Sequence, residues 1–315
     1  MNLYEDKENF QTLITKTSEY MKIPEFFIEK DYWVTFLLRN LSLSPYVNQV
    51  VFKGGTSLSK AFGCIERFSE DIDLALAEPS LGDAKRKTLM KDIEKAVSKG
   101  LLYIKDYPQE EKRGRNRKTF YEYPRLDNNA AISPVKEIIQ LEINTFTHPF
   151  PFEKHSIGTF IYKFLKDNQF NDSIEHYSLN PFSVNVLSLE RTLFEKMLSL
   201  IRLSYEGSSS LRSKIRHFYD IASIMKMYNF SADSPDIFKS ALEDDKTNAT
   251  FAGKWLEVPL YKAPLFEKFK DIWADLSSTY KNELLKLIWS EKIISENEIS
   301  KSFERIADFI QRNSK

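Results

Sequence analysis

Asp71 and Asp73 are spaced i, i+2 in the alternating run Asp71-Ile72-Asp73-Leu74-Ala75-Leu76. On a strand, alternation puts both carboxylates on one face while Ile72 and Leu74 face a core. Paired carboxylates suit a hard divalent ion such as magnesium, which keeps part of its coordination for substrate phosphates. Shortly before them, the apolar run Val50-Val51-Phe52 breaks at Gly54-Gly55, followed by Thr56 and Ser57, with Lys60 one turn along and Arg67 and Ser69 in between. Glycines that close a strand and open a helix allow the backbone to approach a phosphate. A phosphate-friendly turn followed by paired carboxylates is what metal-dependent phosphoryl or nucleotidyl transfer requires. The bland alternative for Asp71 and Asp73 is two solvated residues on an edge strand. Neither a Walker A loop nor G-x-G-x-x-G is present.

A third carboxylate would complete such a site. Glu142 is the best candidate, on the polar face of a strand where Ile139, Leu141 and Ile143 alternate with Gln140, Glu142 and Asn144. Lys196 shares a helical face with Thr192, Leu193 and Leu200, so it is either a charge awaiting an anion or a lysine snorkelling from the core edge. Asp220 follows Arg216 by four residues, the spacing of an ordinary intrahelical ion pair. Lys112–Lys118, KRGRNRK, is the dense basic run, followed by Phe120, Tyr121, Tyr123 and Arg125. Cations beside aromatics suit a phosphate backbone with exposed bases; a solvated hairpin tip is the competing reading.

These residues need elements to position them. Helical spacing predicts helices over Glu5–Met21, with Phe10, Leu13, Ile14 and Tyr20 as its apolar stripe, and over Pro24–Leu41. In the latter, Glu29, Lys30 and Asp31 read as the solvated side. A short helix is expected over Thr56–Cys64 and another over Asp83–Lys99. Extended segments are expected at Leu101–Lys105, Thr119–Tyr123 and Lys136–Phe146, the last ended by Pro149 and Pro151. Helices then dominate: Leu189–Leu203, Ser213–Tyr228 after a Gly-Ser-Ser-Ser loop at Gly207–Ser210, and three more over Leu265–Arg312. The implied architecture is α+β, with a mixed-sheet α/β domain over residues 1–180 and a helical domain over residues 181–315.

Composition narrows the partners. The 315 residues balance 45 Lys plus Arg against 45 Asp plus Glu, so a nucleic-acid or membrane partner needs local patches rather than bulk charge. One cysteine, Cys64, and four histidines exclude an intramolecular disulfide and argue against a Cys/His zinc site. No apolar run approaches membrane-spanning length, and the N-terminal residues are too polar for a secretory signal, so no membrane partner is expected and a cytoplasmic location is.

In combination, KGGTSLSKAF, RFSEDIDL and Leu141-Glu142-Ile143 resemble the nucleotidyltransferase superfamily signature: a Gly-Gly turn, a D-x-D strand and a distal acidic strand residue. LERTLFEKMLSLIRL and KIRHFYDI are similar to two helical motifs of the AbiEii/AbiGii toxin family, at Lys196 and at Arg216, Tyr219 and Asp220; FFIEKDYWVTFLLRNL is similar to its N-terminal helix. The resemblance spans about residues 25–225. It implies a nucleotidyltransferase fold and a magnesium-dependent transfer from a nucleoside triphosphate to a hydroxyl acceptor, with transfer RNA the first to test. It also implies a toxin role beside a cognate antitoxin protein. Asp71 and Asp73 would hold metal, Glu142 would help deprotonate the acceptor, and Gly54, Gly55, Thr56, Ser57, Lys60, Arg67, Ser69 and Arg216 would surround the nucleotide. Lys196 would bind phosphate, with the helical domain contributing it and Asp220 to the cleft. Asp220 would either orient the lysine or move a proton. A non-catalytic nucleotide- or RNA-binding module of the same fold is the alternative. A metal-dependent nuclease is less favoured, because Asn144 stands where its lysine is expected.

Overall fold

The structure, a computed structural model, describes residues 1–69, 71–78, 80–126, 137–248, 254–289 and 293–313. Lys136, where the strand preceding Pro149 was expected to start, lies outside them. The chain forms two compact units: residues 1–62 with 68–187, and residues 63–67 with 188–315. The first unit therefore ends seven residues beyond the boundary expected at 180.

The first unit begins with α1 (Lys7–Met21) and α2 (Glu25–Ser42). Asp6 caps α1 by accepting from the Asn9 amide at 3.2 Å. Phe10 and Ile14 are buried on α1 as their spacing predicts, but Tyr20 is 48% exposed and Thr17 takes the next buried position. Pro24 sits immediately before α2, where its fixed φ suits entry to a helix. The expectation of a solvated charged side on α2 is overturned: Glu29, Lys30 and Asp31 are all buried. The reason is that α2 packs against α1, α4 (Asp83–Val97), α5 (Phe160–Asp167) and β8 (Phe182–Leu187), and each charge meets a partner inside. Glu29 accepts from the Leu126 amide at 3.2 Å, Lys30 lies 5.9 Å from the Phe68 ring centroid, and Asp31 pairs with Lys60.

Among the described residues the sheet has eight strands: β1 (Val50–Lys53), β2 (Ile72–Leu76), β3 (Leu102–Tyr103), β4 (Glu111–Lys112), β5 (Asn116–Glu122), β6 (Ile138–Asn144), β7 (Phe152–Ile157) and β8. Their order is β3-β5-β6-β2-β1-β8-β7, with β4 paired to β5. β2 runs parallel to β6 and β1 parallel to β8, while β1–β2, β5–β6 and β7–β8 are antiparallel. The sheet is mixed, and the unit is α+β. Val51, Phe52, Ile72, Leu74, Leu141 and Ile143 fill its core. The short helix α3 (Gly54–Lys60) follows β1 directly and is shorter than expected. β7 carries little apolar alternation, being an edge strand exposed along most of its length, which is why its sequence shows no strand signal. α6 (Asn171–His176) completes the unit.

The second unit is helical, with α7 (Leu189–Ser204), α8 (Ser208–Arg212), α9 (Ile215–Met227), α10 (Ser234–Asn248), α11 (Pro264–Glu267), α12 (Phe269–Thr279) and α13 (Glu296–Arg312). Ser188 caps α7 by accepting from the Arg191 amide at 3.1 Å. The serine run expected as a loop forms α8 after Gly207, whose φ of +98° favours glycine. Leu193, Phe194, Met197, Phe218, Ile221 and Ile306 are fully buried, and Phe218 stacks on Phe303 at 5.3 Å. Residues 63–67 join this unit through a bridge between Arg67 and Ile288 and a 3.1 Å hydrogen bond from the Trp289 amide to the Glu66 carbonyl. No helix among the described residues is long and apolar enough to cross a membrane.

Candidate functional site

In the first unit, the site is built on the junction of β1 and α3. Gly54 adopts φ +84°, and a Cβ there would lie 2.2 Å from Asp73 Oδ2. The Asp73 carboxylate therefore rests against backbone that only glycine leaves open. Antiparallel pairing of β1 with β2 sets Lys53 opposite Asp73, and parallel pairing of β2 with β6 sets Asp73 beside Glu142. Asp71 precedes β2 by one residue and is half-buried. The burial alternation expected along β6 is present, with Ile139, Leu141 and Ile143 buried and Glu142 on the other face. Glu142 meets Lys118 Nζ at 3.4 Å and accepts from Asn144 Nδ2 at 3.3 Å.

Thr56 and Ser57 are buried, and their hydroxyls serve the backbone. Thr56 donates to the Asp71 carbonyl and has Ser69 Oγ at 3.1 Å; Ser57 donates to the Gly54 carbonyl at 2.9 Å. Their visible work is to fasten the turn to the approach of β2. Lys60 is committed as well. It pairs with Asp31 and donates to the Gly158 carbonyl at 2.9 Å, while the other Asp31 oxygen accepts from the Phe160 amide at 2.8 Å. Burial pushes Asp31 up and Lys60 down, and each partner's charge opposes the shift of the other.

In the second unit, Asp220 of α9 is fully buried between two cations. Arg67 Nε donates to Oδ1 and Arg67 Nη2 to Oδ2, each at 2.7 Å, and Lys196 Nζ lies 2.9 Å from Oδ2. Burial alone would raise the Asp220 pKa, but the Arg67 and Lys196 charges outweigh it and hold the carboxyl well below the usual range. The intrahelical Arg216–Asp220 pair, the bland alternative that the spacing allowed, does not form; Arg216 is half-buried and makes no ion pair among the described residues. The Tyr219 hydroxyl accepts from the Glu66 amide at 3.1 Å.

Two further groups stand beside this cluster. Burial, with help from the Lys196 charge, pushes His217 well below its ordinary value, so its ring is neutral. Burial pushes the Cys64 thiol up to about 12. Sequence reasoning missed both, since only folding brings residues 64, 67, 196 and 217 to Asp220.

Phe120, Tyr121 and Tyr123 are buried, which overturns their reading as stacking surfaces beside the basic run. Tyr107 lies 4.1 Å from Phe120 and Trp33 5.6 Å from Tyr123, ring to ring. The run itself forms the β4–β5 hairpin. Among the described residues no group of three His, Cys, Asp or Glu side chains is placed to hold a metal ion.

The family described as "Nucleotidyl transferase AbiEii toxin, Type IV TA system" matches residues 35–307. The chain belongs to this family. Among solved structures, it is similar to one from H. pylori provisionally assigned as a nucleotidyltransferase, at 14% identity and a TM-score of 0.33, covering 84% of this chain and 98% of that one. The comparison with curated proteins finds no match. The family match includes Gly54, Asp71, Asp73, Glu142, Lys196 and Asp220 within its span.

Proposed function

We propose that the chain is a magnesium-dependent nucleotidyltransferase that moves a nucleotidyl group from a nucleoside triphosphate to a hydroxyl of RNA, with transfer RNA the first acceptor to test. Family membership supports a transferase and a toxin role. The observation that carries the chemistry is Asp73, its carboxylate against Gly54 and its strand neighbour in register Glu142.

Hard carboxylate donors beside a Cβ-free backbone position fit magnesium, which binds through one or two carboxylates and completes its shell with water and phosphate. Asp71 and Asp73 would hold it, and it would supply charge neutralisation at the phosphates and activation of the attacking oxygen. The acceptor oxygen forms a bond to the α-phosphorus, the α–β bridging P–O bond breaks, and pyrophosphate leaves. Glu142 takes the hydroxyl proton, and Lys118, 3.4 Å away, fixes its carboxylate.

Lys196 is the phosphate ligand of the helical unit. Asp220 would orient that lysine; its contacts with Arg67 and Lys196 support this role over proton exchange. Arg216, which makes no ion pair among the described residues, would be a second cation for the nucleotide. Lys60 and the Thr56 and Ser57 hydroxyls act indirectly, by holding the turn. A cytoplasmic location and a neutralising antitoxin protein complete the reading.

Labelled triphosphates, magnesium and total transfer RNA test it. Label transfer that Asp71→Ala and Asp73→Ala abolish is the expected result. Triphosphate binding without product across many acceptors would favour the non-catalytic module.

A further inference from the structure

The two oxygens of the Glu142 carboxylate are held by donors from different strands. Oε2 lies 3.4 Å from Lys118 Nζ on β5, and Oε1 accepts from Asn144 Nδ2 on β6 at 3.3 Å. A carboxylate is an acceptor only, so the Asn144 amide turns its nitrogen towards Glu142 and its Oδ1 away. One donor would leave the carboxylate free to swing about its last torsion, whereas a donor at each oxygen fixes its plane. Each oxygen keeps a further lone pair, so this clamp leaves room for a proton. Asn144 also donates without adding a second cation, which would hold the carboxylate equally well but weaken it as a base.

Asn144 is itself confined. It is 7% exposed, and in register it has the small Ala75 of β2 on one side and Asn116 of β5, 6% exposed, on the other. The Thr145 amide donates to the Arg115 carbonyl at 3.0 Å, which makes Asn116–Asn144 the closely spaced, non-hydrogen-bonded kind of antiparallel pair. The Oδ1 atoms of both asparagines are buried and accept no hydrogen bond among the described residues. Strand interiors disfavour asparagine, and a buried amide oxygen without a donor is a net cost to folding. An apolar residue at position 144 would suit the strand better. What asparagine adds there is the bond to Glu142. Asn116 bears the same unpaired oxygen without that bond, which makes it the control.

We infer that Asn144 is a positioning residue: together with Lys118 it holds the Glu142 carboxylate in one orientation for taking the acceptor's hydroxyl proton. The inference rests on Glu142 as the base of the proposed transfer. Asn144 touches neither substrate nor metal in this role and acts through Glu142 alone.

Label-transfer kinetics with magnesium, triphosphate and transfer RNA test it. Asn144→Leu, close in shape but without a donor, lowers kcat about tenfold and leaves the KM for triphosphate unchanged. Asn144→Asp, which replaces the donor with an acceptor, loses at least as much, and Asn144→Gln, which keeps an amide donor, recovers part of the loss. Asn116→Leu stays within about twofold of the parent chain. Urea unfolding supplies a readout independent of activity. Asn144→Leu raises the midpoint more in a Glu142→Ala background than in the parent chain, because only in the parent does it also remove a bond. An unchanged kcat in Asn144→Leu, an equal loss in Asn116→Leu, or equal midpoint shifts in the two backgrounds would overturn the positioning role. Absence of label transfer by the parent chain defeats the transferase reading instead, and the midpoints then still decide whether Asn144 holds Glu142.

Discussion

Arg67 grips Asp220 through two parallel hydrogen bonds of 2.7 Å, and the same carboxylate holds Lys196 at 2.9 Å. A fork of this kind fixes direction as well as charge. Removing the carboxylate leaves two buried cations facing one another. Asp220→Ala is expected to cost about 3–5 kcal/mol in urea unfolding. Arg67→Lys, which cannot make the fork, is expected to keep the fold and raise the KM for triphosphate by misdirecting Lys196. An unchanged KM would exclude the orienting role.

The same pair predicts a pH dependence. The folded pKa of Asp220 lies below that of a free carboxyl, so its stabilisation is complete above the unfolded value and is lost as pH falls through the folded one. The stability gap between the parent chain and Asp220→Asn is therefore expected to be constant from pH 7 to about 5, and to narrow only below about pH 4. Denaturant titrations at stepped pH check this.

Lys60 provides a contrast. It is sealed between Asp31 and the Gly158 carbonyl, so its contribution is to hold α3 in place. Lys60→Ala or Asp31→Ala alone is expected to destabilise by about 3–5 kcal/mol, and the apolar double variant Asp31→Leu/Lys60→Met to recover most of that loss. Calorimetric triphosphate affinity of the double variant should match the parent chain. A selective loss of affinity in a folded variant would put Lys60 on the ligand.

Gly54→Ala is expected to fold and to lose label transfer almost completely. The new Cβ meets Asp73 Oδ2 at 2.2 Å, and φ +84° costs a residue with a side chain about 1–2 kcal/mol. Adding Asp73→Gly relieves the clash and is expected to restore part of the melting temperature but none of the activity.

Ser295 and Glu298 form a reciprocal cap on α13, each accepting from the other's amide. Glu298 is held down to about 2, chiefly by Lys226 and by the Ser295 bonds. Ser295→Ala should cost about 1 kcal/mol. Because the Glu298 pKa is depressed on folding, the effect of Glu298→Gln should fade as pH drops from about 4.5 towards 2, a window that thermal melts resolve.

Asp71, Asp73, Gly54 and Glu142 stood out as candidates because strand alternation and a glycine turn are local signals, each confined to a few neighbouring residues, whereas Lys196 was singled out by likeness to a family motif. The same locality made β1, β2, β6, α2 and α7 recognisable by period. Register across the sheet is not local. Only the pairing of β2 with β6, two strands distant in sequence, puts Glu142 beside Asp73, and only the positive φ of Gly54 brings Asp73 against the turn.

Charge was the harder part. From spacing, Asp220 belonged to Arg216, Lys60 to a phosphate, and Glu29, Lys30 and Asp31 to water. Folding gave Asp220 to Arg67 and Lys196, Lys60 to Asp31, and buried the α2 charges. Phe120, Tyr121 and Tyr123 went inside too, away from the bases their place beside the basic run had suggested. The sequence by itself determined which reactive groups the chain carries and the strands and helices that bear most of them. Tertiary structure decided which charge each group faces, because an ion pair depends on distance and burial, and both arise only when segments far apart in the chain are packed together.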